Sequence, residues 1–127
     1  MQSLYPVESN HLVDIESLAQ PHVHVLVARE RGRALGCGAF VLGDAGRAEM
    51  KRVFVAPAAR GKGVARMLME ALEREAAKRG VTLLQLETGI KQPEAIALYR
   101  RFGYAERGPF GTYQPDPLSL FMEKRLA

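Results

Sequence analysis

The sequence predicts a single mixed α/β (α+β) domain over residues 1–127, and three observations support this. β-rich runs separated by glycine-containing turns occupy residues 23–55. A helical period follows over residues 63–79, and strand-like and helical segments alternate after it. A run of strands followed by a crossover helix is typical of a mixed sheet with helices packed against it.

The elements before residue 60 are predicted from their hydrophobic spacing. Leu12, Ile15 and Leu18 recur every three residues, which predicts a short helix over residues 11–18 that ends before Pro21. Three strands then form an antiparallel meander around two glycine-containing turns. The strands are residues 23–28, 35–42 and 48–55, and the turns are residues 31–33 and 43–46.

The second half alternates helices and strands. Residues 63–79 form the long helix, and Gly80 is its expected C-terminal glycine. Pro93 suits the first position of a second helix over residues 94–102. The predicted strands are residues 82–87, 104–107 and 119–124.

Composition and charge exclude several classes of protein. With 47% hydrophobic and 25% charged residues, the chain is typical of a globular domain and not of a disordered one. No apolar run approaches the ~20 residues of a membrane span, and residues 1–8 lack the pattern of a signal peptide. A single cysteine, Cys37, and no metal-ligand spacing fit a cytoplasmic protein without a metal. We expect neither a membrane nor a nucleic-acid partner, since a net charge of +4 is weak evidence for the latter.

The most informative segment is the strand–turn–helix junction over residues 53–65. The first turn of a helix has unpaired N–H groups and a positive dipole end, so an anion bound there receives several hydrogen bonds. Gly61 and Gly63 have no side chain to hold the backbone away from a phosphate. Three cations add positive charge at the same end: Arg60, Lys62 and Arg66. The pattern predicts a diphosphate site, and the alternative is a tight turn with solvated arginines.

Arg60, Gly63 and Ala65 stand in the spacing Arg-x-x-Gly-x-Ala, which resembles the acyl-CoA diphosphate signature of the GNAT superfamily of N-acyltransferases. Residues 49–55 look like that family's central strand. Residues 94–104 look like its second signature, a helix that ends near a tyrosine and is followed by Gly-aromatic. The motifs stand in the family's order, and the resemblance extends from about residue 23 to the end of the chain.

The resemblance implies a GNAT-like mixed, mostly antiparallel sheet that is flanked by helices and splayed at its centre, between the strands over residues 49–55 and 82–87. Acetyl-CoA is the implied cosubstrate, and its pantetheine arm would bond the strand edge at Val53 and Val55. The implied diphosphate ligands are Arg60, Gly61, Lys62, Gly63, Val64 and Ala65. Gln92 stands where the family usually has Asn, and its longer side chain would contact the cofactor.

The implied reaction moves an acetyl group from acetyl-CoA to a primary amine of a small molecule or a protein, by direct attack in a ternary complex. The amine must lose a proton, because an alkylamine has a pKa of about 10.4. Glu49, on the strand beside the cleft, is the expected base, acting through water. Tyr99 is the expected acid for the departing thiolate, and an N–H near Val55 would serve the oxyanion.

Each catalytic residue has an alternative interpretation. Glu49 could instead pair with Lys51 or Arg52 as an ordinary surface carboxylate. Tyr99 could pack as a core residue, in which case Tyr104 or Tyr113 supplies the phenol in the cleft.

The N-terminal region departs from the family, whose members usually begin with a strand. Because the pattern of residues 11–18 predicts a helix, we expect that strand to be missing. A sheet edge would then be exposed, and a homodimer could form through it. The alternative function is an acyl-CoA-binding regulatory module without catalysis, against which the presence of Tyr99 argues.

Overall fold

The structure is a computed structural model that describes the backbone of residues 13–126, with side chains described for residues 20–51 and 53–126. Seven strands and two helices follow one another along this part of the chain. They are β1 Val13–Ala19, β2 Val23–Glu30, β3 Arg33–Leu42, β4 Arg47–Val55, α1 Val64–Lys78, β5 Leu83–Gly89, α2 Pro93–Arg101, β6 Ala105–Arg107 and β7 Ser119–Arg125.

The strands form one mixed sheet in the order β1-β2-β3-β4-β5-β7-β6. All neighbours are antiparallel except β4 and β5, which α1 connects as a parallel pair. That pair is short: it runs from Arg47 opposite Leu83 to Glu49 opposite Gln85. Beyond it, β4 continues to Val55 without β5 beside it, so the sheet is splayed at its centre as expected.

α1 packs on one face of the sheet, against β2, β3 and β4. Its buried residues Leu68 and Leu72 lie over two glycines of β3. A Cβ at Gly36 would lie 2.6 Å from the carbonyl oxygen of Phe54, and one at Gly38 would lie 2.7 Å from Leu72 Cδ1. The absence of side chains on β3 therefore lets α1 approach the sheet closely.

The opposite face, here called the open face, carries Val41, Glu49 and Gln85, which are register partners across β3, β4 and β5. Its side chains on β2 and β3 are half-buried, whereas the α1 face of the same strands is fully buried. The loop between β6 and β7 folds across this face, and its Phe110 and Tyr113 rings contact Phe121 of β7 edge-on.

The helix predicted over residues 11–18 is wrong for residues 13–18, which lie in β1, while residues 11 and 12 lie outside the described part of the chain. The expectation of a missing first strand fails with it, because β1 pairs with β2 from Val13 opposite Glu30 to Ala19 opposite His24. The short segment fits both periods, and backbone pairing with β2 overrides the local pattern.

The other predicted elements are confirmed, with bounds that differ by two residues or fewer. Gly80 follows α1 with a φ of 82°, and the Val81 and Gly80 N–H groups bond the carbonyls of Ala76 and Ala77 at 3.1 Å each, which is a Schellman motif. Neither described helix has the length and hydropathy of a membrane span.

Candidate active site

The site begins where β4 leaves β5. The register between β3 and β4 shifts between Cys37 and Ala39, because the pairs on either side leave one residue of β3 opposite two of β4. Such a bulge increases the local twist and bends the bulged strand. It lies beyond the last β4–β5 pair, so it contributes to the divergence of the two strands.

The edge of β4 in this gap presents backbone groups. Ala56 donates its N–H to the Leu35 carbonyl at 2.8 Å, on the β3 side. Because successive residues of a strand point their backbone groups in opposite directions, the N–H and C=O of Val55 face away from β3. Arg60 Nε donates to that Val55 carbonyl at 3.4 Å. The strand edge at Val55, which the sequence predicted to bond the pantetheine arm, therefore faces the gap.

The start of α1 closes one end of the gap with features that suit an anion. Gly61 and Gly63 have φ angles of 81° and 77°, a left-handed conformation that glycine adopts without strain. Within the described side chains, none makes a capping hydrogen bond to this helix end, and its first turn holds no acidic residue. A Cβ at Gly61 would meet no atom within 4 Å, so space is open beside the turn.

A cavity of about 560 Å³ lies in the gap, between the starts of α1 and α2. It brings together most of the residues that the sequence predicted to bind the cofactor. These are Val53, Val55, Arg60, Gly61, Gly63, Val64, Ala65 and Gln92. Lys62 is exposed and does not line the cavity.

The beginning of α2 also lines the cavity, and sequence reasoning missed it apart from Gln92. Lys91, Pro93 and Glu94 form this wall, with Ala95 and Leu98 on the next turn. The signal that could have found them is Pro93, which marks the N-terminal end of α2 and thus a second helix end at the same gap.

Tyr99, the predicted acid, lines the same cavity and is 8% exposed. Burial raises the pKa of its phenol, so the hydroxyl keeps its proton at neutral pH. The alternative Tyr104 lies away from the cavity: its ring contacts Tyr99 edge-on at 5.9 Å, but its hydroxyl donates to Glu73 of α1 at 2.9 Å. Tyr104 therefore ties β6 to α1.

Glu49, the predicted base, lies on the open face at the point where β4 and β5 part. Tyr113 Oη donates to Glu49 Oε2 at 2.6 Å, and Lys51 Nζ lies 3.8 Å from the same oxygen. The hydrogen bond to Glu49, with burial and the nearby charges of Glu49 and Glu87, raises the pKa of Tyr113 to about 12. Tyr113 is thus a protonated donor to the carboxylate, and the sequence did not predict this pairing.

The predicted residues divide between the two faces of the sheet. Tyr99 and all cofactor candidates except Lys62 line the cavity on the helical side, whereas Glu49 lines a separate cavity on the open face. Among the described residues these two cavities share no lining side chain. The gap between β4 and β5 is where the two sides of the sheet meet.

Comparison with known families agrees with this geometry. Residues 2–104 match the model of the Acetyltransferase (GNAT) family. The chain belongs to this family.

Two relatives show how similar this GNAT acyltransferase is to named proteins. The IAA acetyltransferase of Azospirillum brasilense is 55% identical over 97% of this chain and 81% of its own length. The uncharacterised N-acetyltransferase YsnE of Bacillus subtilis is 36% identical over 99% of this chain and 85% of its own length.

Solved structures confirm the fold. A Klebsiella pneumoniae protein assigned to the acyl-CoA N-acyltransferases superposes with a TM-score of 0.87 at 40% identity, covering 91% of this chain and 99% of that one. The paiA N-acetyltransferase of Thermoplasma acidophilum, in complex with coenzyme A, reaches a TM-score of 0.73 at 19% identity over 82% of this chain and 61% of that one. At that lower identity the likeness concerns the fold alone.

Proposed function

We propose that this GNAT enzyme transfers an acetyl group from acetyl-CoA to a primary amine by direct attack in a ternary complex. The observation that carries the proposal is the splayed β4–β5 pair, with the start of α1, which no described side chain caps, on one side of the gap and Glu49 on the other. Relatives named as acetyltransferases support acetyl as the acyl group. The proposed location is the cytoplasm, in agreement with a single cysteine.

The residues around the helical-side cavity fit acetyl-CoA. Its diphosphate would receive hydrogen bonds from backbone N–H groups at the start of α1, with Arg60 and Lys62 adding positive charge. The pantetheine amides would bond the gap-facing edge of β4, at Val53 and at the carbonyl of Val55, in the manner of an added strand. Gln92 lines the same cavity and would reach the cofactor from the start of α2.

Acetyl-CoA supplies the acetyl group as a thioester, and the protein supplies proton transfers and an oxyanion donor. Glu49 accepts the proton of the acceptor's ammonium group, directly or through a water. The Val55 N–H, which faces the gap, donates to the carbonyl oxygen as negative charge develops there. The carbon–nitrogen bond forms first, and the nitrogen then loses its surplus proton through water. As the carbon–sulfur bond breaks, Tyr99 gives its proton to the sulfur.

The test is release of free thiol from acetyl-CoA in the presence of a panel of primary amines. We expect amine-dependent thiol release and an N-acetylated product in mass spectrometry. Binding of acetyl-CoA with no turnover on any amine would overturn the proposal and favour a regulatory acyl-CoA-binding module.

The Glu49→Gln variant tests the base separately from the cofactor site. We expect kcat/KM for the amine to fall about a hundredfold while acetyl-CoA affinity stays unchanged, because loss of a general base costs about 10²–10⁴ in rate. Glu70→Gln, on the exposed side of α1, is the matched control and keeps wild-type activity. An unchanged rate for Glu49→Gln would remove this residue from the chemistry.

A further inference from the structure

The cavity on the open face has a volume of about 510 Å³, which is the size of a small-molecule site. Its walls are the end of β3 with the β3–β4 turn, the starts of β4 and β5, and the end of β6 with the beginning of the β6–β7 loop. Glu49, the proposed base, forms one side of it. A volume of this size favours a small amine over an extended protein segment as the acceptor.

Gln85 marks this cavity as one that takes a polar ligand. Its side chain lines the cavity and is only 6% exposed, yet its amide makes no hydrogen bond within the part of the chain that the structure describes. Among the described side chains, the fully buried polar atom without a partner is His24 Nδ1, so the Gln85 amide is not sealed inside the protein but is accessible from the cavity. Gln85 therefore offers both a donor and an acceptor to whatever fills the cavity.

Two guanidinium groups lie on the cavity walls with donors to spare. Arg107 uses Nη1 for Glu123 at 2.6 Å and Nε for the Gly108 carbonyl at 2.9 Å, and Arg47 uses Nε for the Asp44 carbonyl at 3.4 Å. The remaining Nη groups, Nη2 of Arg107 and both of Arg47, make no hydrogen bond within the described residues. Guanidinium groups bind carboxylates through paired N–H donors.

The cavity also contains groups of the opposite sign and an apolar wall. Asp44 and Glu49 line it together with the two arginines, so it presents both charges to a ligand. Val41, Pro109 and Phe110 supply apolar surface between them. A molecule that carries an ammonium group, a carboxylate and an apolar part matches all three features.

We propose that the acceptor is a zwitterionic amino-carboxylate with an apolar or aromatic side group, bound in the open-face cavity with its amine at Glu49 and its carboxylate at Arg47 and Arg107. This inference rests on the proposed N-acetyl transfer. The Gln85 amide hydrogen-bonds the amine or carboxylate of the acceptor, and Phe110 packs on its apolar group. The cavity thus determines which amines the enzyme accepts.

The experiment compares amino acids with the amines that lack only the carboxylate. Acetyl transfer from acetyl-CoA is measured for phenylalanine against 2-phenylethylamine and for leucine against 3-methylbutylamine, with rates expressed per free-base amine. We expect kcat/KM to be at least about tenfold higher for each amino acid, since a charge-assisted hydrogen bond to the carboxylate is worth about that factor.

The Arg47→Gln variant assigns the preference to this cavity. It should lower kcat/KM for the amino acids about tenfold by raising their KM. The kcat/KM for the decarboxylated amines and the KM for acetyl-CoA should stay unchanged. Arg47→Lys should restore part of the lost kcat/KM, because it keeps the charge but not the paired donors. Arg33→Gln, in the β2–β3 hairpin, is the control that keeps the preference.

The outcomes separate the two proposals. Equal or faster turnover of the decarboxylated amines overturns the amino-carboxylate assignment and leaves N-acetyl transfer intact. An amino-acid preference that survives in Arg47→Gln also overturns it. Absence of turnover on every amine, despite bound acetyl-CoA, overturns N-acetyl transfer itself.

Discussion

At the scale of single residues, two phenols that lie close together have different roles. Tyr99 lines the helical-side cavity, and burial raises its pKa so that it holds a proton to donate. Tyr104 contacts Tyr99 edge-on, but its hydroxyl donates a hydrogen bond to Glu73. Environment, not residue type, therefore distinguishes the proposed acid from the structural tyrosine.

Replacing these phenols one at a time tests that difference. Tyr99→Phe should lower kcat about a hundredfold with little change in acetyl-CoA affinity, because it removes a general acid and leaves the ring in place. Tyr104→Phe, the matched control, should keep kcat and lose about 1 kcal/mol of unfolding free energy with its hydrogen bond. Steady-state kinetics and urea denaturation measure both, and an unchanged kcat for Tyr99→Phe would assign thiolate protonation to another group.

At the scale of elements, the junction of β4 and α1 depends on left-handed glycines. Gly61 and Gly32 form a matched pair: their φ angles are 81° and 80°, and a Cβ at either would meet no atom within 4 Å. They differ in place, because Gly61 lines the helical-side cavity and Gly32 lies in the β2–β3 turn.

Gly61→Leu and Gly32→Leu should therefore destabilise the fold to a similar extent, by about 1–2 kcal/mol, since both force a branched residue into the left-handed region. Only Gly61→Leu should weaken coenzyme A binding, by about tenfold or more, because its side chain enters the proposed phosphate space. Calorimetry decides: equal affinities in the two variants would move the diphosphate away from this turn.

The elements also show where sequence reasoning succeeds. α1 has a long periodic pattern that ends before Gly80, and the start of the shorter α2 is marked by Pro93, so both were predicted closely. β1 was not, because a seven-residue segment has too little periodicity to outweigh its pairing with β2. The β4 bulge has no local signature either, because it arises from how two strands align.

At the scale of the whole molecule, the sequence predicted most of the lining of one cavity and little of the other. Residues close together in sequence form the α1 end of the helical-side cavity, so a motif could reveal it. The open-face cavity joins Glu49 to Gln85 and to the β6–β7 loop, which are distant in sequence, and Tyr113 reaches Glu49 only because that loop folds back. A homodimer was expected because the edge of β2 would be exposed. β1 pairs with that edge, so this argument for a homodimer no longer holds.

The stability of the whole fold should depend on pH through His24. Its ring is buried and stacks on Phe40. Arg79 Nε donates to its Nε2 at 3.2 Å, and its Nδ1 has no partner among the described residues. Burial, with the positive charge of Arg79, lowers the pKa of His24 below its ordinary value of 6.5. The unfolded chain therefore takes up a proton first as pH falls.

Because the folded-state pKa of His24 is the lower one, His24 contributes to the free energy of unfolding in full above pH ~6.5. This contribution declines as the pH drops from there towards the folded-state pKa. His24→Gln should lose less unfolding free energy than the wild type between pH 7 and pH 5. Urea denaturation at both pH values measures the difference, and His22→Gln, at an exposed site on the preceding turn, is the control. Identical losses in His24→Gln and the wild type would contradict this role.

The most direct measurement is a crystal structure of the protein with coenzyme A. We predict that the diphosphate accepts hydrogen bonds from backbone amides within residues 61–65, at about 3 Å, and that the pantetheine arm lies in the gap along Val53 and Val55. Coenzyme A bound on the open face, or a start of α1 without phosphate at a saturating ligand concentration, would contradict the placement on which the proposed chemistry depends.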